Sequence, residues 1–278
     1  MKGMSSIGRL RYLERAPSPD SRPRGTLVLL HAFPLNARMW EPQLAFASRG
    51  WRVLAPHMRG LDEGGGPTPP AGDEALRATP TIDECAGDVI DLLDSLHVEE
   101  AVIGGLSMGG YVALAMLRHA PRYFRGLVLA DTRPQADTPE GLAGRKRMLQ
   151  LVAEGGAAAV AADMIPKLLG ETTRLRHPDV AERVRSLVLS NSAASIAGMV
   201  HVLMSRPDST PVLPTIHFPT LIIVGDQDTV TPPAVAEDMR RSIAGSTLVV
   251  LPEAGHLSSL EQPAAFDAAL AQFLDHRV

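Results

Sequence analysis

The chain has 278 residues, of which 45% are hydrophobic and 21% charged, the balance of a packed globular protein and not of a disordered one. That length fits one or two domains of roughly 150 residues each. Lys and Arg number 27 against 31 Asp and Glu, a formal net charge of −4, and a surface without a basic excess speaks against a nucleic-acid partner. One cysteine, Cys85, can form neither an internal disulfide nor a cysteine-based zinc site.

The N-terminal stretch MKGMSSIGRLRYLERAPSPD lacks the apolar core of a signal peptide and is interrupted by Arg9, Arg11 and Arg15. No apolar run reaches the roughly 18 residues of a membrane helix. The expectation is a soluble, cytoplasmic protein with no membrane contact. Thr26–His31 (TLVLLH) reads as a buried strand, Asn36–Arg49 as a helix stopped by Gly50, and Trp51–Ala55 as a second strand. His57–Ala71, rich in Gly and Pro, reads as a loop. Thr81 has the place of an N-cap, with Glu84 as its capping-box partner, before a helix carrying Val89, Ile90, Leu92, Leu93 and Leu96. Glu100–Ile103 is a third strand, Met108–His119 a helix ended by Pro121, and Gly126–Ala130 a fourth strand.

After Asp131 the pattern changes. Pro139–Ala153, Gly156–Leu169, Pro178–Ser190 and Ser192–Ser205 all read as helices, with Pro139 and Pro178 in first-turn positions where a missing N–H costs nothing. A proline-punctuated return over Arg206–Pro219 leads to a fifth strand, Thr220–Val224, a helix over Ala234–Ile243, a sixth strand, Thr247–Leu251, and a last helix, Pro263–Leu274. Alternating strands and helices imply an α/β fold, a mainly parallel sheet with helices on both faces. The all-helical stretch is too long for a loop and must pack over the edge where the loops leave the strands. The expected division is a core of residues 1–132 and 211–278 and a helical cap of residues 133–210.

Gly105-Leu106-Ser107-Met108-Gly109 is a G-x-S-x-G motif between a strand and a helix, the context in which a tight turn lifts a serine hydroxyl clear of a sheet. A serine hydroxyl needs a base to become a nucleophile. Of nine histidines, His256 lies directly after the sixth strand, where open α/β sheets place their chemistry. His31 ends a strand but begins another turn, His57 opens the glycine-rich loop, and the others fall in or near helices and connectors. No histidine pair has metal-ligand spacing, so neither a metal nor another cofactor is expected. The base needs a carboxylate to hold its tautomer. Asp228, in Gly225-Asp226-Gln227-Asp228 after the fifth strand, is the first choice; Asp131, ending the fourth strand, competes; Asp226 reads as a cap of its turn. Donors for a developing oxyanion are the backbone N–H of Met108, at a helix N-terminus, and that of Phe33, in His31-Ala32-Phe33-Pro34.

With HAFPLNARMW (31–40), GGLSMGGYVAL (104–114), VGDQDTVTPP (224–233) and EAGHLSSLEQP (253–263), the sequence resembles the α/β-hydrolase superfamily over essentially its whole length. The order Ser107, Asp228, His256 is that of the superfamily. The resemblance implies an eight-stranded, mostly parallel sheet, a helical cap at the place of the helical insert, and antiparallel first strands around Gly8–Glu14. Two positions depart from the pattern: Ala32 stands where a glycine is usual, and His57 where an aspartate often stands. A serine nucleophile speaks against the members that use aspartate, the epoxide hydrolases and haloalkane dehalogenases.

The chain is most similar in character to small bacterial carboxylesterases and to 3-oxoadipate enol-lactonases. The expected activity is that of a carboxylic ester hydrolase acting on small, largely apolar esters through an acyl-enzyme on Ser107. The alternatives are an enol-lactone hydrolase, a cofactor-free perhydrolase, and a non-hydrolytic lyase or ligand-binding member of the fold. The partner is a small-molecule ester or lactone. Phe33, Trp40 and Met108 are the candidate substrate contacts. An enol-lactone bears a carboxylate and needs a cationic pocket; Arg133, Arg145, Lys146 and Arg147 are available but read as solvated. Met148, Leu151, Met164, Ile165, Leu168, Met199 and Leu203 recur at helical spacing and read as packing residues, with substrate contact as the other reading.

Overall fold

A computed structural model describes residues 5–7, 10–61 and 80–278. The expected glycine-rich loop lies outside the described residues from position 62 on, as do Gly8 and Arg9. The strands are β1 (Ser5–Ile7), β2 (Leu10–Arg15), β3 (Gly25–Leu30), β4 (Trp51–Pro56), β5 (Ala101–Leu106), β6 (Phe124–Ala130), β7 (Thr220–Gly225) and β8 (Thr247–Leu251). They form one sheet in the order β1-β2-β4-β3-β5-β6-β7-β8. The three-residue β1 and the longer β2 pair antiparallel; every pair from β4 to β8 is parallel. The central strands are apolar runs because helices cover both of their faces: β5 and β7 are buried at every position. At the edge, β8 is buried only at Leu251.

The helices are α1 (Ile82–Ser95), α2 (Met108–His119), α3 (Pro139–Leu168), α4 (Glu171–Arg176), α5 (Pro178–Leu189), α6 (Ala193–Met204), α7 (Pro233–Ser242), α8 (Ser258–Glu261) and α9 (Pro263–His276). The Thr81–Glu84 capping box forms at the start of α1: Glu84 N–H donates to Thr81 Oγ1 at 3.2 Å, and Thr81 N–H to Glu84 Oε2 at 2.7 Å. The face of α1 turned inward carries Ile82, Cys85, Val89, Leu92 and Leu93. α2 is buried from Met108 to Leu117, as the apolar character of both its faces requires.

Three expectations need correction. Residues 36–49 form two 3-10 helices, Ala37–Trp40 and Pro42–Arg49, not one helix. Asn36 caps the first, and Pro42, which has no N–H to give, prevents a continuous ladder across Glu41. α4 is a helix that periodicity does not reveal. The third strand runs on to Leu106, so both glycines before Ser107 belong to it.

Between β6 and β7 the chain is entirely helical, and α3 packs on α5 and α6. α3 spans 30 residues, with a window apolar enough by composition for a membrane span. Gly156 breaks it at φ 60° and ψ −158°, close to where the sequence separates two helices. Because β3, β5, β6, β7 and β8 run parallel, their C-terminal ends line one rim of the sheet.

His31 leaves β3 at this rim and is fully buried. Its Nδ1–H donates to Ala32 O at 2.9 Å, and its Nε2 accepts the Met58 N–H at 2.8 Å, which fixes one neutral tautomer. Burial, reinforced by nearby His57 and opposed by the Ala32 bond, pushes the ring down to about 3. Unfolded, the ring takes a proton near 6.5; folded, it stays neutral until about 3. Stability from this group is therefore complete above 6.5 and falls as the pH drops through that window. In thermal melts, the wild type should lose Tm between pH 6.5 and about 5, before carboxylates titrate, and His31→Asn should lose distinctly less over the same interval. Parallel curves would show that His31 takes up its proton in the folded state.

Candidate active site

Ser107 stands between β5 and α2 with φ 54° and ψ −111°, a backbone conformation that L-residues rarely adopt. Steric demands of the turn explain its glycines. A Cβ on Gly105 would meet the Gly109 carbonyl at 2.2 Å, and one on Gly109 would meet Leu30 O at 2.1 Å. The turn is held from the neighbouring strand: Ser107 N–H donates to Ala130 O at 2.9 Å, and the Thr132 hydroxyl donates to Ser107 O at 2.8 Å.

His256 comes from the loop between β8 and α8, and Asp228 from the turn after β7. His256 Nε2 lies 2.8 Å from Ser107 Oγ, and its Nδ1 lies 2.8 Å from Asp228 Oδ2. All three residues are buried, Ser107 being the most accessible at 8%. Asp228 Oδ1 also accepts the N–H groups of Val230 and Thr231, at 2.8 and 2.9 Å, and Oδ2 accepts the Thr231 hydroxyl at 2.6 Å. Burial alone would raise this carboxyl. The charge of His256 and the bonds from His256 and Thr231 outweigh burial and hold it below the usual carboxylate range. Asp228 therefore caps its own turn, the part the sequence reading gave to Asp226; Asp226 is exposed.

The His256 loop is tied to the helical stretch. His256 N–H donates to Leu168 O at 2.9 Å, and Glu261 accepts the N–H groups of Leu257 (3.0 Å) and Gly170 (2.8 Å). Asp131 lies behind the acid and does not hydrogen-bond to His256. Its Oδ1 accepts the Gly225 N–H at 3.0 Å, while its Oδ2 is 2.5 Å from the Ser258 hydroxyl and 3.3 Å from the Ser258 N–H. Burial first, and then the Asp228 charge, push its carboxyl well above the usual range.

Beside Ser107 the His31–Pro34 turn is fixed through Ala32. Ala32 O accepts from His31 Nδ1–H and from Leu35 N–H, and Ala32 N–H points at Met39 Sδ, 3.2 Å away. The Cβ of Ala32, unusual at this position, is accommodated with the residue fully buried. Phe33 and Met108, the expected oxyanion donors, both line the cavity that opens on Ser107 and His256.

That cavity has a volume of about 290 Å³. Trp40 does not line it. Its ring is buried against Phe266, 5.9 Å between centroids, so the expected substrate contact is a core residue. Of the apolar helical residues, Met148, Met164, Leu168 and Leu203 face the cavity, whereas Leu151, Ile165 and Met199 do not. Its polar wall holds Arg133, Arg145, Lys167 and Arg206 with Asp137 and Asp163. Asp163 pairs with Lys167 at 2.7 Å; Asp137 binds Arg145 Nε at 3.0 Å and Arg206 Nη2 at 2.7 Å. Burial opposes the ionisation of Asp137, but Arg145 and Arg206 hold it below the usual range.

Arg133 differs from the other cations. Its Nη2 donates to Val230 O, and its Nε is buried with no hydrogen-bond partner among the described residues. Arg133 and Arg145, read from sequence as solvated, thus face the cavity, and Lys146 and Arg147 do not. Arg206, which sequence reasoning missed, lies 6% exposed with its guanidinium 4.2 Å from the Tyr111 ring centre. Nothing local in Ser205-Arg206-Pro207 marks it, because its partners are remote in sequence. Among the described residues no cluster of His, Cys, Asp or Glu is arranged to hold a metal ion.

A family model described as the alpha/beta hydrolase fold matches residues 25–263. A relative, 3-oxoadipate enol-lactonase 2 of Acinetobacter baylyi, is 30% identical over 247 residues, covering 89% of this chain and 87% of that protein. Among solved structures, a malate-bound thermophilic esterase from Thermogutta terrifontis is 35% identical at a TM-score of 0.85, covering 96% of this chain and 93% of that one. The enol-lactonase from Burkholderia xenovorans LB400 is 25% identical at a TM-score of 0.84, covering 99% of this chain and all (100%) of that one. By its parallel sheet, the serine turn at its rim and the match over most of its length, the chain belongs to the alpha/beta hydrolase fold family.

Proposed function

We propose that the protein is a serine hydrolase of small carboxylic esters and lactones, with Ser107 as nucleophile, His256 as base and Asp228 as the acid that orients it. The observation that carries this reading is the unbroken chain of two 2.8 Å contacts from Asp228 through His256 to Ser107, opening on a cavity. His256 Nε2 takes the Ser107 proton as Oγ attacks the carbonyl carbon. The oxyanion of the tetrahedral intermediate receives the N–H groups of Phe33 and Met108. His256 passes its proton to the leaving alkoxide, which departs as an alcohol from an ester or stays tethered as a hydroxyl in a lactone, leaving an acyl group on Ser107. A water, deprotonated by the same imidazole, attacks the acyl carbon, and the acid is released as Ser107 recovers its proton.

In this reading residues 133–210 are a cap over a core of residues 1–132 and 211–278; the cavity residues of α3 and α6 support that division. The free, buried thiol of Cys85 is in keeping with a cytoplasmic setting, where thiols stay reduced.

The cavity wall supports a second, narrower reading, in which the substrate carries a carboxylate. Arg133 is the wall cation without a carboxylate partner among the described residues, in a cavity that apolar Phe33, Met108 and Met148 also line. The similar esterase from Thermogutta terrifontis was solved with malate, itself a dicarboxylate, and two similar proteins are enol-lactonases.

Turnover of p-nitrophenyl esters tests the triad. Ser107→Ala and His256→Ala should each lose on the order of 10⁴-fold or more in kcat, and Asp228→Asn a comparable factor with folding intact. Mass spectrometry after a short pulse of activated ester should find a transient acyl adduct on Ser107. Activity should decline on acidification, since only neutral imidazole can take the serine proton. Full turnover by Ser107→Ala overturns the nucleophile assignment.

Arg133→Gln separates the two substrate readings. It should raise KM for an enol-lactone or a dicarboxylate monoester roughly 10- to 100-fold, the worth of one charge-assisted hydrogen bond, and leave neutral esters little changed. Equal effects on both substrate sets would return the reading to neutral, apolar esters.

A further inference from the structure

Asp131 is a fully buried carboxyl group that the mechanism above does not use. It follows β6 with φ 43°, a positive value that a non-glycine residue adopts only where its surroundings impose it. Those surroundings are the three loops of the site. The Asp131 N–H donates to Ile223 O at 2.9 Å, and its Oδ1 accepts the Gly225 N–H, three residues before Asp228. Its Oδ2 meets the hydroxyl and N–H of Ser258, two residues after His256. The next residue, Thr132, holds the Ser107 carbonyl through its hydroxyl at 2.8 Å. One dipeptide thus touches the nucleophile turn, the acid turn and the histidine loop.

We propose that Asp131 is a positioning residue that works as a protonated carboxylic acid, joining the Asp228 turn to the His256 loop without placing a second negative charge beside them. The proposal rests on the serine-hydrolase reading for what it positions, but the state of its proton stands apart from that reading.

Unequal surroundings decide which of the two neighbouring carboxyls keeps the proton. Asp228 has a histidine against one oxygen, the Thr231 hydroxyl on the same oxygen, and two backbone N–H groups on the other. Asp131 has no cation among its hydrogen-bond partners, and one of its two N–H contacts is long, at 3.3 Å. The titratable group facing it is Asp228, which is itself hydrogen-bonded to His256. Two buried carboxyls so placed do not both ionise. The better-solvated charge belongs to Asp228, and the burial that raises Asp131 acts in the same direction. On this proposal the proton sits on Asp131 Oδ2, and the 2.5 Å contact with Ser258 runs from Oδ2–H to Oγ, the reverse of the direction it takes with an ionised carboxylate, while Oδ1 stays free to accept from Gly225.

A neutral tie and a charged one behave differently on amidation. Asparagine offers the same acceptor to Gly225 and a donor to the Ser258 hydroxyl, giving up only the 3.3 Å contact with the Ser258 N–H, so Asp131→Asn should keep the tie. Asp131→Ala removes it and should lower kcat on the order of 100-fold, with KM changing far less, because the reacting groups lose register while the cavity stays in place. Asp131→Asn should recover most of that loss and leave the acid limb of the kcat profile where the wild type has it. Were Asp131 ionised, its amidation would remove a charge near the imidazole and move that limb down by about one pH unit or more.

Difference infrared spectroscopy of wild type against Asp131→Asn at neutral pH reads the proton directly and needs no substrate. The expected result is a protonated-carboxyl C=O band present in the wild type and missing in the variant. Absence of that band, a downward shift of the acid limb in Asp131→Asn, or unchanged kcat in Asp131→Ala each overturns the proposal. Should Asp131→Ala fail to fold, the asparagine variant and the infrared band still decide it. A Ser107→Ala enzyme with full turnover would remove the hydrolase reading while leaving the band in place, so the two failures can be told apart.

Discussion

Three backbones meet at Ser107, and the geometry there constrains everything built on the rim. β5 must turn into α2 within one residue, α2 must start against the end of β3, and β6 must reach across to hold the turn. Side chains at Gly105 or Gly109 would collide with backbone at 2.2 and 2.1 Å, distances no rotamer change relieves. The cost of a positive φ at Ser107 is met by fixed partners at and just beyond the end of β6, namely Ala130 O and the Thr132 hydroxyl. A hydroxyl held this way has little orientational freedom left to lose when an imidazole approaches from the far side of the sheet edge.

The second constraint is electrostatic. The same rim that brings β6 and β7 side by side also gathers the aspartates that follow them, Asp131 and Asp228, both buried. On the proposed hydrolase reading a single charge there is useful, since it orients His256 and stabilises the imidazolium that acyl transfer would form. Two would oppose each other at low dielectric. The structure meets this by unequal hydrogen bonding. Asp228 turns back on its own loop to collect the N–H groups of Val230 and Thr231, while Asp131 is spent on linking loops. The competition that the sequence poses between these residues is therefore one of environment, not of distance along the chain.

Much of this architecture is legible in the sequence, for definite reasons. The central strands are continuous apolar runs because both faces are covered, and Ser107, Asp228 and His256 each follow a strand, where parallel topology must gather them. Thr81 and Glu84 announce a helix start three residues apart. What stays hidden depends on partners far along the chain. Trp40, aromatic and close in sequence to the Phe33 turn, is drawn into the core by Phe266. Arg206 lies in an unremarkable connector, and only Asp137 and Tyr111, 69 and 95 residues away, make it part of the wall. The 3-10 helices at 37–49 carry a helical pattern that Pro42 interrupts, and apolar spacing cannot tell α from 3-10 there.

Charge balance in the cavity bears on what enters it. Asp137 is shared by Arg145 and Arg206, and Asp163 is taken up by Lys167. Asp163 and Lys167 balance each other, whereas Asp137 balances only one of its two arginines. Arg133 is different, because one Nη is bound to a carbonyl and its buried Nε has no acceptor among the described residues. A buried donor left unsatisfied costs about 1–3 kcal/mol, and this Nε is closed off from the cavity, so a ligand would meet the guanidinium through its other nitrogens. On the proposed carboxylate reading, Phe33, Met108 and Met148 supply apolar wall elsewhere in the same cavity. The wall holds four cations, Arg133, Arg145, Lys167 and Arg206, against two carboxylates, Asp137 and Asp163, and on the proposed carboxylate reading that local positive excess, in a chain of net charge −4, is what an anionic substrate would meet.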